Sequence, residues 1–143
     1  RLDGPVLLPD QRPSAAPAIT SGAVFGGTIR LDGLTLDAAD ESLTAALYWT
    51  PVRPLETDFT LTLGVMGADG QVLAQADGPV AGYPTSAWVE GVPFSETRML
   101  ALPRPLAAGD TLFLGWYDPR DGARLPVTAE GARDNLLFVP VGR

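Results

Sequence analysis

The chain has 143 residues and a formal charge of −7, with ten basic residues, all of them Arg, and neither Cys nor His. Within it this leaves no disulfide, thiolate nucleophile, His-based triad or zinc site, and the acidic balance argues against a face that binds nucleic-acid phosphates. One domain is expected at this length, and 16 Gly with 14 Pro predict frequent turns and no long helix. No apolar run reaches the ~18–20 residues that cross a bilayer, so no transmembrane segment is expected in this chain. No secretory signal is visible, and a start at Arg1 without Met suggests a piece of something longer.

Residues 1–22 carry Pro5, Pro9, Pro13 and Pro17, a spacing that precludes a helix and predicts a Pro-rich linker or partly docked tether. Within it Val6-Leu7-Leu8 offers an edge strand. Residues 23–143 are expected to form the folded body. From Val24 the pattern turns period-two: Phe25, Ile29 and Leu31 face one way, Gly33 permits a bulge, and Leu34 and Leu36 resume. Ser42 to Thr50 sets Leu43, Ala45, Leu47 and Trp49 inward and Tyr48 outward. Phe59 to Met66 alternates as plainly. Ala68-Asp69-Gly70 then signals a hairpin whose return strand is expected to point Val72, Ala74 and Ala76 inward.

The stretch Gln71 to Gly91 reads as a sheet-to-sheet crossover, with Asp77, Pro84, Thr85 and Trp88 holding it. Strands follow at Arg98–Pro103 and at Thr111–Tyr117, the latter with Leu112, Leu114 and Trp116 inward. Asp118 to Gly122 is a strong turn, Ala123–Val127 the next extended piece and Leu136–Val141 the last strand. Eight or nine short strands with turn signals every 8–12 residues predict an all-β, two-sheet antiparallel β-sandwich, immunoglobulin-like or jelly-roll-like.

The set Leu47-Tyr48-Trp49, Ala68-Asp69-Gly70, Gln75-Ala76-Asp77-Gly78-Pro79, Pro84-Thr85-Ser86-Ala87-Trp88, Gly91, Gly115-Trp116-Tyr117-Asp118 and Gly122-Ala123-Arg124-Leu125-Pro126 carries a resemblance. Over roughly residues 24–128 the chain resembles the extracytoplasmic C-terminal β-sandwich domain of bacterial membrane-bound glycosyltransferase-like proteins of the protein-mannosyltransferase type, as in green non-sulfur bacteria. Ser95-Glu96 stands where an Asp after the Gly91 turn is expected. The resemblance implies an appendage in the cell envelope, tethered through an upstream membrane domain, with transferase chemistry belonging to that absent part.

The candidate ligand-binding residues are Tyr83, Trp88, Asp77, Tyr48 and Tyr117, because planar rings beside carboxylates are what a sugar face and its hydroxyls require. Trp49 and Trp116 fall on core-facing registers. Asp118 and Arg124 are read as a structural turn pair, with Arg124 reaching back across the hairpin to Asp118. Asp37, Asp40 and Glu41 are the nearest approach to a calcium set and read as a solvated turn, so no metal and no cofactor is expected. The function expected is a non-catalytic extracytoplasmic accessory domain whose partner is carbohydrate or a lipid-linked sugar. The rival readings are a structural or protein-interaction sandwich without a small-molecule ligand and, more weakly, a carboxylate-based glycoside hydrolase.

Overall fold

The computed structural model describes residues 16–78 and 84–142. Tyr83 and the Val6-Leu7-Leu8 run lie outside the described residues. Among the described residues there are ten strands: β1 (Ile19–Thr20), β2 (Val24–Phe25), β3 (Ile29–Ala38), β4 (Ser42–Pro51), β5 (Thr60–Met66), β6 (Val72–Gly78), β7 (Phe94–Ala101), β8 (Thr111–Tyr117), β9 (Ala132–Arg133) and β10 (Leu136–Pro140). The described helical content is one 3-10 turn, Thr85–Ala87. A front sheet runs β1-β3-β4-β7, with β2 also on β3, and a back sheet runs β6-β5-β8-β10-β9. All pairings are antiparallel. The chain is a two-sheet antiparallel β-sandwich.

Period-two alternation builds the core. Leu43, Ala45, Leu47 and Trp49 from β4 meet Leu61, Leu63 and Val65 from β5 and Leu112, Leu114 and Trp116 from β8, all essentially without solvent exposure. At its centre Trp116 stands edge-on to Trp49 (centroids 5.2 Å, 72°) and to Trp88 (5.4 Å, 84°), and Phe25 abuts Trp49 at 6.0 Å. Offset and edge-to-face rings of this kind add to the area they bury.

Two bulges break the alternation, and each has a visible cause. In β3 the register shifts between Leu31 and Gly33, so Leu31 and Leu34 both face the core although three residues apart. The extra residue, Asp32, turns its carboxylate to the Arg30 guanidinium (2.7 Å) and to the Thr50 hydroxyl. Gly33 follows because β1 lies on it: a Cβ there would sit 2.3 Å from the Ile19 carbonyl oxygen. The second bulge, between Val65 and Met66, pairs Val65 with Ala74 and Met66 with Val72. Leu73 is the residue gained there, and Val72 turns outward with 49% exposure. The expectation that Val72 continues the apolar face is therefore corrected, whereas Ala74 and Ala76 do pack on the core.

The edge between the sheets on one side is closed by charge. Glu96 and Arg98 on β7 lie opposite Leu47 and Ala45, in the inward register. Arg98 Nε donates to Glu96 at 2.7 Å, both side chains are 13% exposed, and the guanidinium donates to the carbonyls of Gly78 (3.0 Å) and Ala76 (3.4 Å) on β6. Inward charges on an edge strand are a common guard against pairing with another chain. Opposite, the extended piece Ala123–Val127 joins neither sheet as a regular strand. It makes one bridge to the back sheet (Tyr117 with Arg124) and one to the front (Phe25 with Val127), and Pro126 has no N–H with which to extend either ladder.

Candidate functional site

Outward-facing residues of the back sheet gather the polar groups. Thr62 on β5 lies opposite Asp77 on β6, and Tyr117 on β8 lies opposite Thr60. Asp77 Oδ1 accepts from the Thr62 hydroxyl (2.8 Å) and from Gln75 Nε2 (3.2 Å), and Oδ2 accepts from the Tyr117 hydroxyl (3.1 Å). Gln75 Nε2 also donates to Thr62 (3.1 Å). Three strands thus hold one carboxylate from three directions. Burial and the Asp77 carboxylate push the Tyr117 phenol above its ordinary pKa, so it remains a donor to Asp77 throughout the neutral range.

Beyond the Thr60–Tyr117 pair the same two strands run out into loops that border an open cleft of about 370 Å³, lined by Glu56, Thr57, Asp58, Pro119 and Arg120. Its walls are fixed by short hydrogen bonds. Thr85, in the crossover and 1% exposed, accepts from the Phe59 amide (2.9 Å) and donates to the Thr57 carbonyl. The Ser86 amide donates to Asp58 (2.9 Å), and Ser86 holds that carboxyl below the usual carboxylate range. On the other wall Asp118 accepts three bonds from the Arg120 guanidinium, at 2.6, 3.0 and 3.2 Å, and one from its amide at 2.9 Å, which likewise hold its carboxyl low.

The sequence candidates separate in space. Asp77 and Tyr117 meet. Tyr48 lies on the outer surface of the other sheet, between Gly33 and Ser95, and shares no site with them. Trp88 is 6% exposed and packs on Trp116, so it belongs to the core and not to a ligand surface. The expected strut from Arg124 to Asp118 is replaced: Asp118 takes Arg120, two residues away within its own turn, and Arg124 donates to the Asp134 carbonyl at 3.0 Å. Glu96, at the position of the expected ligand carboxylate, is the partner of Arg98. Thr85 and Trp88 do hold the crossover, but the bonds described for Asp77 run across the back sheet to Thr62, Gln75 and Tyr117. Thr62 and Gln75 were not foreseen as site residues, though alternation already placed Thr62 on the outward face.

A larger hollow of about 460 Å³ opens on the far edge, between Ile19, Ala23 and Leu34 on one side and Ala129, Leu137 and Val139 on the other. Among the described residues Glu130 is the one ionisable group lining it, so it offers little chemistry beside the Asp77 face. Among the described residues no three acidic side chains converge as a metal site would need, and Asp37, Asp40 and Glu41 are all exposed. No described helix is long and apolar enough to cross a membrane.

No protein-family profile matches the chain. A 56-residue stretch is 46% identical to a mycothiol acetyltransferase of Nocardia farcinica, covering 39% of this chain and only 18% of that protein. Among solved structures, a β-glucuronidase of glycoside hydrolase family 2 superposes with a TM-score of 0.51 and 15% identity, over 77% of this chain and 11% of that one. Bacteroides uniformis β-glucuronidase 2, covalently bound to cyclophellitol-6-carboxylate aziridine, gives a TM-score of 0.46 and 14% identity, over 76% of this chain and 14% of that one. The chain thus spans a small part of each of these three proteins, and the first superposition shows a shared sandwich fold.

Proposed function

We propose that this sandwich is a non-catalytic accessory domain that contacts carbohydrate through the outer surface of its back sheet. The observation that carries the proposal is the Tyr117–Asp77–Thr62–Gln75 network beside an open cleft. A half-buried phenol ring with a fixed carboxylate and amide is the combination that reads sugar hydroxyls while a ring packs on the pyranose face. The fold shared with part of a family 2 β-glucuronidase, a carbohydrate-acting enzyme, is in keeping with this use. A paired-carboxylate hydrolase is the weaker reading, since Asp77 is already held by a phenol, a hydroxyl and an amide and Asp118 by Arg120. On the sequence resemblance, the parent protein is a membrane-bound glycosyltransferase-like enzyme, and this domain sits outside the membrane beside it.

The test is titration of the isolated domain with a panel of oligosaccharides and polyprenyl-linked sugars, following backbone amide shifts. Shifts centred on Thr62, Gln75, Asp77 and Tyr117, abolished by Asp77→Ala in a folded variant, are expected. No response to any panel member removes the carbohydrate reading. The interaction-domain reading has its own observation, the front-sheet surface of Thr35, Thr44, Ala46, Tyr48 and Thr97, bordered by Asp37 and with Met99 66% exposed. Binding of the upstream region through that surface, lost on Met99→Arg, would favour it.

A further inference from the structure

The hydrogen-bonding capacity left over at this site specifies the ligand more closely than its class. Asp77 Oδ1 already takes two donors and Oδ2 takes one, the Tyr117 hydrogen is committed to Asp77, and one hydrogen of the Gln75 amide points at Thr62 and Asp77. What remains open is mostly acceptor: a lone pair on Asp77 Oδ2 and the Gln75 carbonyl, with the Tyr117 oxygen already in contact with the Thr60 hydroxyl. Such a surface is completed by groups that donate.

The surrounding charges point the same way. The cleft next to Tyr117 contains Glu56 and Asp58, and the cation among its described lining residues, Arg120, lies against Asp118 with three hydrogen bonds. Pairing cancels Asp118 against Arg120 and leaves the carboxylates of Glu56, Asp58 and Asp77 in excess. No cation in the described lining is free to receive a carboxylate or a phosphate.

We infer that the site takes a neutral pyranoside through its hydroxyl hydrogens and excludes uronates and phosphate-linked sugars. This rests on the carbohydrate reading above, and it parts company with a lipid-linked sugar phosphate as the direct ligand. An anion about 6 Å from two of these carboxylates in water is disfavoured by about tenfold, an effect that salt screens.

The experiment compares matched ligands on the intact chain: methyl glucoside, methyl glucuronide and glucose 6-phosphate, by amide shift titration at about 0.05 M and 1 M salt. The expected result is binding of the glucoside with little salt dependence, and affinity for both anions at least about tenfold weaker at low salt, the gap narrowing at high salt. Asp77→Asn should narrow the gap as well, because it removes charge and keeps the shape. Anions binding as well as or better than the glucoside would overturn this inference while leaving carbohydrate binding standing. Failure of all three, and of the wider panel, overturns both.

Discussion

Truncating Trp88 is the sharpest test of where the crossover belongs. Its ring is 6% exposed and stands edge-on to Trp116 at 5.4 Å, so Trp88→Ala removes a core side chain and one leg of the central aromatic stack. Deletions of this size cost about 3–5 kcal/mol, part of it the ring contact itself at about 0.5–1.5 kcal/mol. A domain of this length is stable by about 5–15 kcal/mol in all, so the variant should lose from about a fifth to all of its margin. At about 2–4 °C per kcal/mol the midpoint should fall by about 6–20 °C. Urea unfolding followed by circular dichroism reads the change, with an unchanged m-value as the sign that both transitions are two-state. Trp88→Phe, which keeps a ring, should recover about half of the loss. A cost below about 1 kcal/mol for the alanine variant would mean that Trp88 does not seat the crossover in the core, and the separation drawn between core and binding surface would fail with it.

Three further outcomes follow from the packing. Arg98→Ala should cost about 2–3 kcal/mol, since the ion pair with Glu96 is lost and two β6 carbonyls lose this donor; it should also make the domain associate in a concentration-dependent way, seen by sedimentation. Asp110 is 1% exposed, and the Arg104 guanidinium (2.8 and 3.2 Å) together with the Ala107 amide holds its carboxyl below the ordinary value of about 3.9. Its stabilisation is present above that value and is lost as pH falls through the lowered one, so acid titration of Asp110→Asn should show a flatter decline below about pH 4 than the parent. Gly33→Ala places a methyl group 2.3 Å from the Ile19 carbonyl and should detach β1, read as faster hydrogen exchange at the Ser21 and Gly22 amides, which bond to Asp32 and Leu31. Unchanged protection at both would refute that account.

The strands of the core were legible because burial on one face imposes period two, and Leu43-x-Ala45-x-Leu47-x-Trp49 carries it without interruption. The bulge at Asp32 was announced by Gly33 and by two leucines three apart. That at Leu73 had no such marker, since Val72, Leu73, Ala74 and Ala76 are all apolar and alternation cannot choose among them. Tyr48 and Tyr117 were correctly turned outward, yet strand order is a non-local property, and nothing local says that β4 and β8 belong to opposite sheets. Asp118 had two arginines within reach along the chain, and the bond to Arg120 closes inside the turn, whereas one to Arg124 would have to cross it. Glu96 and Arg98 occupy inward positions that charge alone would have assigned to solvent. Their mutual pairing resolves the conflict, and pairing is invisible to a pattern of single residues.

The three indoles have an optical consequence. All the tryptophans of the chain lie in one edge-to-face column, Trp49, Trp116 and Trp88, with centroids 5.2 and 5.4 Å apart. Transition dipoles at that spacing couple, so the folded domain should display a split ultraviolet dichroism band that neither a lone tryptophan nor the unfolded chain can give. Excitation of any one ring is shared with the others, and the protein reports on its centre as a single chromophore. The middle ring joins the outer two, so Trp116→Phe should erase the split band altogether, while loss of either outer tryptophan should leave a simple couplet. The column is therefore a built-in gauge of whether the two sheets are closed on each other, readable without a label.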